Sequence, residues 1–197
     1  MRLVDLQTPI DIAAIMWEKT DFYTCLITDP QVVIELCDKI RSLLTEFIDT
    51  WFSRYKKEFV AHFPTYYMPY GISISEDEIG AVSPKMFNEF FIDELCMLSD
   101  RYGQMGIHCC AESKHQWQNL KQVPNLKLLN LHRDAAEITQ SIDFFKDFTA
   151  QMPDAFDSGG IENTCSHLSN DEGYIALWAN AKNRDEALRI LEKWQKI

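Results

Sequence analysis

The sequence is short of positive charge. Nineteen lysines and arginines face 30 aspartates and glutamates, for a net charge of -11 at pH 7. Such a field repels phosphate backbones and argues against nucleic acid as a partner. No apolar run approaches the ~20 residues that a membrane-spanning helix needs. Met1-Arg2-Leu3-Val4-Asp5 shows no long apolar core with a small-residue cleavage site, so a cytosolic protein is expected. No glycine-rich phosphate loop follows the first apolar segment, which leaves a dinucleotide-binding fold without support. Internal repeats and low-complexity tracts are also missing.

What is present suits one globular domain over residues 1–197. The chain is 46% hydrophobic and 12% aromatic, enough to build a sizeable core. Its six cysteines read as reduced thiols or metal ligands in a cytosolic protein, not as a disulfide framework. Cys25, Cys37 and Cys96 sit among apolar residues and read as core.

Apolar stretches of two kinds alternate. Leu3–Leu6 is a short strand candidate. Thr8-Pro9 then has the form of a helix cap and first helical residue, with Ile10, Ala13, Ala14 and Trp17 at helical spacing. Asp29-Pro30 repeats that punctuation. It opens a long helix with an apolar stripe from Val33 through Leu43, Phe47 and Ile48 to Trp51, ending near Lys57. Residues 61–74 hold prolines, aromatics and a glycine, and predict irregular backbone followed by a strand near Gly71–Ile74. Ser83-Pro84 starts another helix, which stops at Gly103. Further strands are expected at Met105–Ile107, Leu126–Leu131, Ala155–Asp157 and Ile175–Trp178. Helices are expected at 135–148 and 183–194. This alternation predicts right-handed crossovers and a mainly parallel α/β sheet of about six strands.

Polar residues collect where these strands end. They are Glu76 and Asp77, His108 to Cys110, His132 and Arg133, and Asp157. In a barrel, strand exits converge on the face that carries the active site. Gly106-Ile107-His108-Cys109-Cys110 is the densest of them. Residues two apart on a strand share a side, so His108 and Cys110 are able to share one metal while Cys109 turns into the wall. His62, His115 and His167 read as surface or loop histidines.

Gly71-Ile-Ser-Ile-Ser-Glu-Asp77, Ser83-Pro84-Lys-Met-Phe87 and Gly106-Ile-His108 together resemble the uroporphyrinogen decarboxylase superfamily. The resemblance implies a (β/α)8 barrel, here incomplete, because family members are longer and the missing length would lie before Met1. The family contains porphyrinogen decarboxylases and zinc-dependent methyltransferases that work with methylcorrinoids. The decarboxylases' N-terminal arginine and aspartate and their C-terminal Gly-His-Gly have no counterpart here. The methyltransferase branch holds zinc by His-x-Cys and a distant cysteine. On that pattern His108, Cys110 and Cys165 are the expected ligands, with His167 near enough to replace Cys165. Glu76 and Asp77 are the expected catalytic carboxylates, one of them adding a ligand or orienting His108. His132, Arg133 and Asp157 are expected to position substrate, Arg133 by a bidentate contact with a carboxylate.

The expected activity is methyl transfer from a methylcorrinoid, supplied by a partner protein, to a thiol. Two alternatives stand beside it. One is a metal-free decarboxylase using Asp77 and His108. The other is a non-catalytic truncated barrel that dimerises or pairs with a separate N-terminal half, because open sheet edges are usually covered.

Overall fold

The computed structural model describes residues 3–55, 60–62, 66–155, 173–176 and 181–194. They form a mixed α/β protein with parallel strand pairing. The chain divides into two compact units, residues 1–127 and 128–197. Among the described residues no helix is long and apolar enough to cross a membrane.

The first unit opens with an extended segment, not a full strand. Gln7 forms a single parallel bridge with Ser75. The Ser75 N–H donates to the Leu6 carbonyl at 2.7 Å, and the Thr8 N–H to the Ser75 carbonyl at 3.2 Å. Thr8 then caps α1 (Pro9–Met16) as its sequence predicts, its Oγ1 accepting from the Asp11 N–H at 3.3 Å. A second short helix, α2 (Lys19–Thr28), follows without a sequence forecast, because only Phe22 and Leu26 of it are buried. α3 (Pro30–Tyr55) is the long helix and packs on α1 and α2. Its buried stripe is Val33, Cys37, Ile40, Leu44, Ile48 and Phe52. That corrects the expected stripe: Leu43 and Phe47 are 70% and 41% exposed.

An antiparallel hairpin comes next, β1 (Val60–His62) with β2 (Tyr66–Met68). It occupies the stretch expected to be irregular. His62 is 1% exposed rather than a surface group, and its Nδ1 accepts from the Ser73 N–H at 3.1 Å.

β3 (Ile72–Ser75) and β4 (Met105–Cys109) are parallel, with Ser75 in register with His108. Every residue of both is buried, as in a sheet covered on two faces. Gly71 enters β3 at φ +78°, and a Cβ there would lie 2.3 Å from the Gln104 carbonyl oxygen, so only glycine fits. Two helices make the crossover that parallel strands require. They are α4 (Pro84–Phe90) and α5 (Ile92–Tyr102), separated at Phe91. Ser83 caps α4, its Oγ accepting from the Met86 N–H at 3.2 Å, and Gly103 ends α5 at φ +85°. A 3-10 turn (Lys114–Gln116) and the one-turn helix α6 (Trp117–Leu120) complete this unit.

The second unit begins within β5 (Leu126–Arg133), at Leu128, and the strand runs through His132 and Arg133 where an exit was expected. α7 (Ala135–Phe145), capped by Asp134, leads to β6 (Ala150–Gln151) and β7 (Asp154–Ala155), both parallel to β5. Leu128, Leu129, Leu131, Ile138, Ile142, Phe145 and Met152 are its core. Ile175 bridges Gln151, and α8 (Arg184–Trp194) starts where Asn183 accepts from the Glu186 N–H at 3.0 Å.

Candidate metal centre

Because β3 and β4 run parallel in register, they deliver their following residues to one end of the sheet. The Glu76 N–H still donates to the His108 carbonyl at 2.9 Å. Beyond that pair, the two strand exits are joined through the Asp77 side chain. The Cys110 N–H donates to Asp77 Oδ1 at 2.5 Å, and the Cys110 thiol to Asp77 Oδ2 at 3.1 Å. One donor atom each from Asp77, His108 and Cys110 lies within 4.8 Å of the other two. His108 is buried, Asp77 half-buried and Cys110 exposed, so the cluster opens outward through the cysteine.

Alternation along the strand sorts the two adjacent cysteines. Cys109 is fully buried and its Sγ lies 3.5 Å from the Ala111 carbonyl oxygen. Burial pushes its thiol up to about 12. It is wall and not donor.

The loop carrying Asp77 is held from behind by Asp11 of α1. Asp11 is 3% exposed, and its two carboxylate oxygens accept from the Asp77 N–H (2.8 Å) and the Glu78 N–H (3.0 Å). Glu76 is buried against Asp11 and hydrogen-bonded to it. Burial first, then the Asp11 charge, raises the Glu76 carboxyl well above the ordinary carboxylate range. Asp11 is raised as well, again chiefly by burial. The pair is therefore a proton-sharing brace beneath the site. Glu78 is bonded to both Lys19 and Tyr23, which ties the same loop to α2.

Two further contacts fix this loop against the one after β4. Gln116 Nε2 donates to the carbonyls of Ile79 (3.1 Å) and Val82 (2.8 Å). Gly80 has no room for a side chain: a Cβ would lie 2.6 Å from the Ala111 methyl. The acidic run at 76–78 is thus not a solvated loop. Two of its three carboxyls are buried and bonded.

Of the expected site residues, the structure gathers Asp77, His108 and Cys110. Glu76 lies next to Asp77 in sequence, but its carboxyl is bonded to Asp11. His132 and Arg133 belong to the second unit, where Arg133 Nη1 donates to the His132 carbonyl at 2.9 Å and Nε lies 3.6 Å from Glu137 Oε1. Cys165, Asp157 and His167 lie outside the described residues. Asp11, Lys19, Tyr23 and Gln116 went unread in the sequence. Only Asp11 left a signal there, as a lone acid inside the apolar run Ile10–Ala14.

An imidazole nitrogen, a thiolate and a carboxylate make a donor set suited to zinc, with a fourth tetrahedral position left for a ligand. Compared with protein-family models, with curated proteins and with solved structures, the chain matches none.

Proposed function

We propose that this chain is part of a (β/α)8 barrel of the uroporphyrinogen decarboxylase type, and that it binds zinc to activate a thiol for methylation by a methylcorrinoid. The observation that carries the reading is the convergence of Asp77, His108 and Cys110 from two parallel strand ends. His108 and Cys110 take the places of the His-x-Cys pair. Asp77 supplies the third donor, so the first unit holds a sufficient set without Cys165.

Zinc in such a site would lower the pKa of a bound substrate thiol and make it a thiolate near neutral pH. The residues of the chain prepare for this. The Cys110 thiol lies 3.1 Å from Asp77 Oδ2, so the two groups would hold the ion side by side, and the thiol proton would leave to solvent through the exposed face of the cluster. His108, fixed in a fully buried strand, offers a nitrogen whose position costs no reorganisation. Asp11 and Glu76 keep the loop of Asp77 from retreating. The exposed side of the cluster admits the thiol and the methyl donor on its carrier protein.

The test is metal content and affinity of the full chain. Wild type should bind about one zinc. Cys110→Ser and Asp77→Ala should each lose more than roughly 100-fold in affinity, while Cys109→Ser should bind normally. With zinc loaded, methylcobalamin and a simple thiol should give the thioether. Equal zinc affinity in wild type and Cys110→Ser would end the proposal.

A further inference from the structure

A cavity of about 220 Å³ lies between α1, α3 and the junction of α4 with α5. Its walls come from the helices that precede and follow β3 in the chain. Ile10 of α1 and Val33 and Cys37 of α3 are its buried apolar lining. Glu89 and Asp93 line it as exposed groups, and Glu94 as a buried one. The volume is below the ~300–1,000 Å³ of pockets for drug-sized molecules, so a ligand of a few heavy atoms fits it.

Glu94 is the unusual member. It is 8% exposed. Arg41 Nε and Nη2 both bond to its Oε2, at 2.6 and 2.5 Å. Oε1 is buried and has no hydrogen-bond partner among the described residues. A buried carboxylate oxygen without a donor is costly, and native structures rarely leave one so. Burial raises the Glu94 carboxyl above its ordinary range, and Arg41 offsets only part of that. Arg41 also bonds Asp38 through Nη1, so one guanidinium serves two carboxylates. Glu89 and Asp93 form no ion pair among the described residues. The cavity therefore has an excess of negative charge over an apolar lining.

We infer that this cavity binds a small organic cation, an alkylammonium group on an apolar stem. The ammonium supplies the donor that Glu94 Oε1 lacks, as a charge-assisted hydrogen bond in a place shielded from water. Ile10, Val33 and Phe90 take the methylenes. A second ammonium on the same stem is drawn to Glu89 and Asp93, so a diamine binds more tightly than a monoamine. Other ligand classes fit less well. An anion meets the acidic walls, and a neutral alcohol leaves their charge uncompensated. A bare metal ion needs converging donors, and among the described residues only Asp77, His108 and Cys110 bring three of them together. Burial also pushes the Cys37 thiol up to about 12, which keeps it from serving as a thiolate. The inference draws nothing from the zinc reading, since no group of the metal cluster lines this cavity.

Isothermal titration of the full chain tests it, with putrescine (the four-carbon diamine), butylamine and butanediol as probes. Putrescine should bind one per chain with a Kd of about 1 mM or tighter. Butylamine should bind several-fold more weakly, and butanediol at least roughly tenfold more weakly than putrescine. Glu94→Gln should cost both amines roughly tenfold or more. The double variant Glu89→Gln with Asp93→Asn changes only exposed side chains. It should weaken putrescine several-fold, leave butylamine unchanged, and keep the test decisive should Glu94→Gln fail to fold. Zinc affinity should stay at the wild-type value in that double variant, which separates this site from the metal centre. Four results overturn the inference: no stoichiometric binding of putrescine below about 10 mM, butanediol binding as tightly as putrescine, a folded Glu94→Gln with unchanged affinity, or a double variant that weakens both amines alike.

Discussion

The two sides of the first unit solve opposite problems. At the exits of β3 and β4, polar groups converge and satisfy one another: Asp77 with Cys110, Asp11 with two backbone N–H groups, Glu78 with Lys19 and Tyr23. At the edge beside residues 3–7, Asp5 and Gln7 have no backbone partner among the described residues, and Leu43, Met16 and Val4 are exposed. The first side is held by the chain itself and can stay preorganised for a small ligand. The second is stable only as far as the rest of the unit holds it. Stability should therefore be sensitive to substitution at the exits and almost indifferent to it at the edge.

The sharpest break in that contrast is Asp11→Ala. It removes the acceptor of two backbone N–H groups and leaves Glu76 buried without its partner, so urea unfolding should show a loss of about 3 kcal/mol. Zinc affinity should fall with it, because the Asp77 loop is freed.

His62 lies in β1 and braces β3 at Ser73, away from the strand exits. Its folded ring is held at about 4 by burial, against an ordinary 6.5, and its Nδ1 must stay unprotonated to accept from Ser73. Between those values the unfolded chain takes up a proton that the folded chain refuses. The contribution is thus complete above pH 6.5 and lost as pH falls toward 4, to a total of about 3 kcal/mol. His62→Gln should flatten the pH dependence of the urea midpoint in that window, with zinc binding at pH 7.5 kept.

Gly80→Ala pushes a methyl into Ala111 and should cost about 2 kcal/mol, mostly by parting the two exit loops. Its signature is a loss of zinc affinity larger than the loss of stability. Leu43→Asp is the smallest expected effect on the fold. Its stability to urea should lie within about 0.5 kcal/mol of wild type. A large loss there would erase the distinction between the two sides.

Much of this was legible in the sequence because it rests on local chemistry. Thr8-Pro9, Ser83-Pro84 and Asn183 begin helices, and Gly103 ends one, for reasons carried by the residues themselves. β3, β4 and β5 announce themselves as buried runs. α2 does not, since two buried residues in ten give no periodic signal. The hairpin β1–β2 hides in a stretch whose prolines and aromatics fit several conformations. The apolar stripe of α3 was readable, but not which part of it is covered, because burial is a property of the neighbours. At the site, His108 and Cys110 follow from alternation along one strand. Asp77 becomes their neighbour only through the register of Ser75 with His108. Asp11 arrives from a segment 66 residues away in sequence from the Asp77 N–H it anchors.

The adjacent cysteines carry one more consequence, in redox terms. Cys110 stands exposed beside a carboxylate, while Cys109 points into the wall with its thiol held protonated by burial. Of these two thiols, peroxide would therefore reach Cys110. A bond between neighbouring sulfurs would require Cys109 to leave the core, so sulfenic acid on Cys110 is the first product, and small thiols can reverse it. An exposed thiol placed to suit a metal is also placed to suit oxidation, and zinc, where bound, would protect the same sulfur it employs.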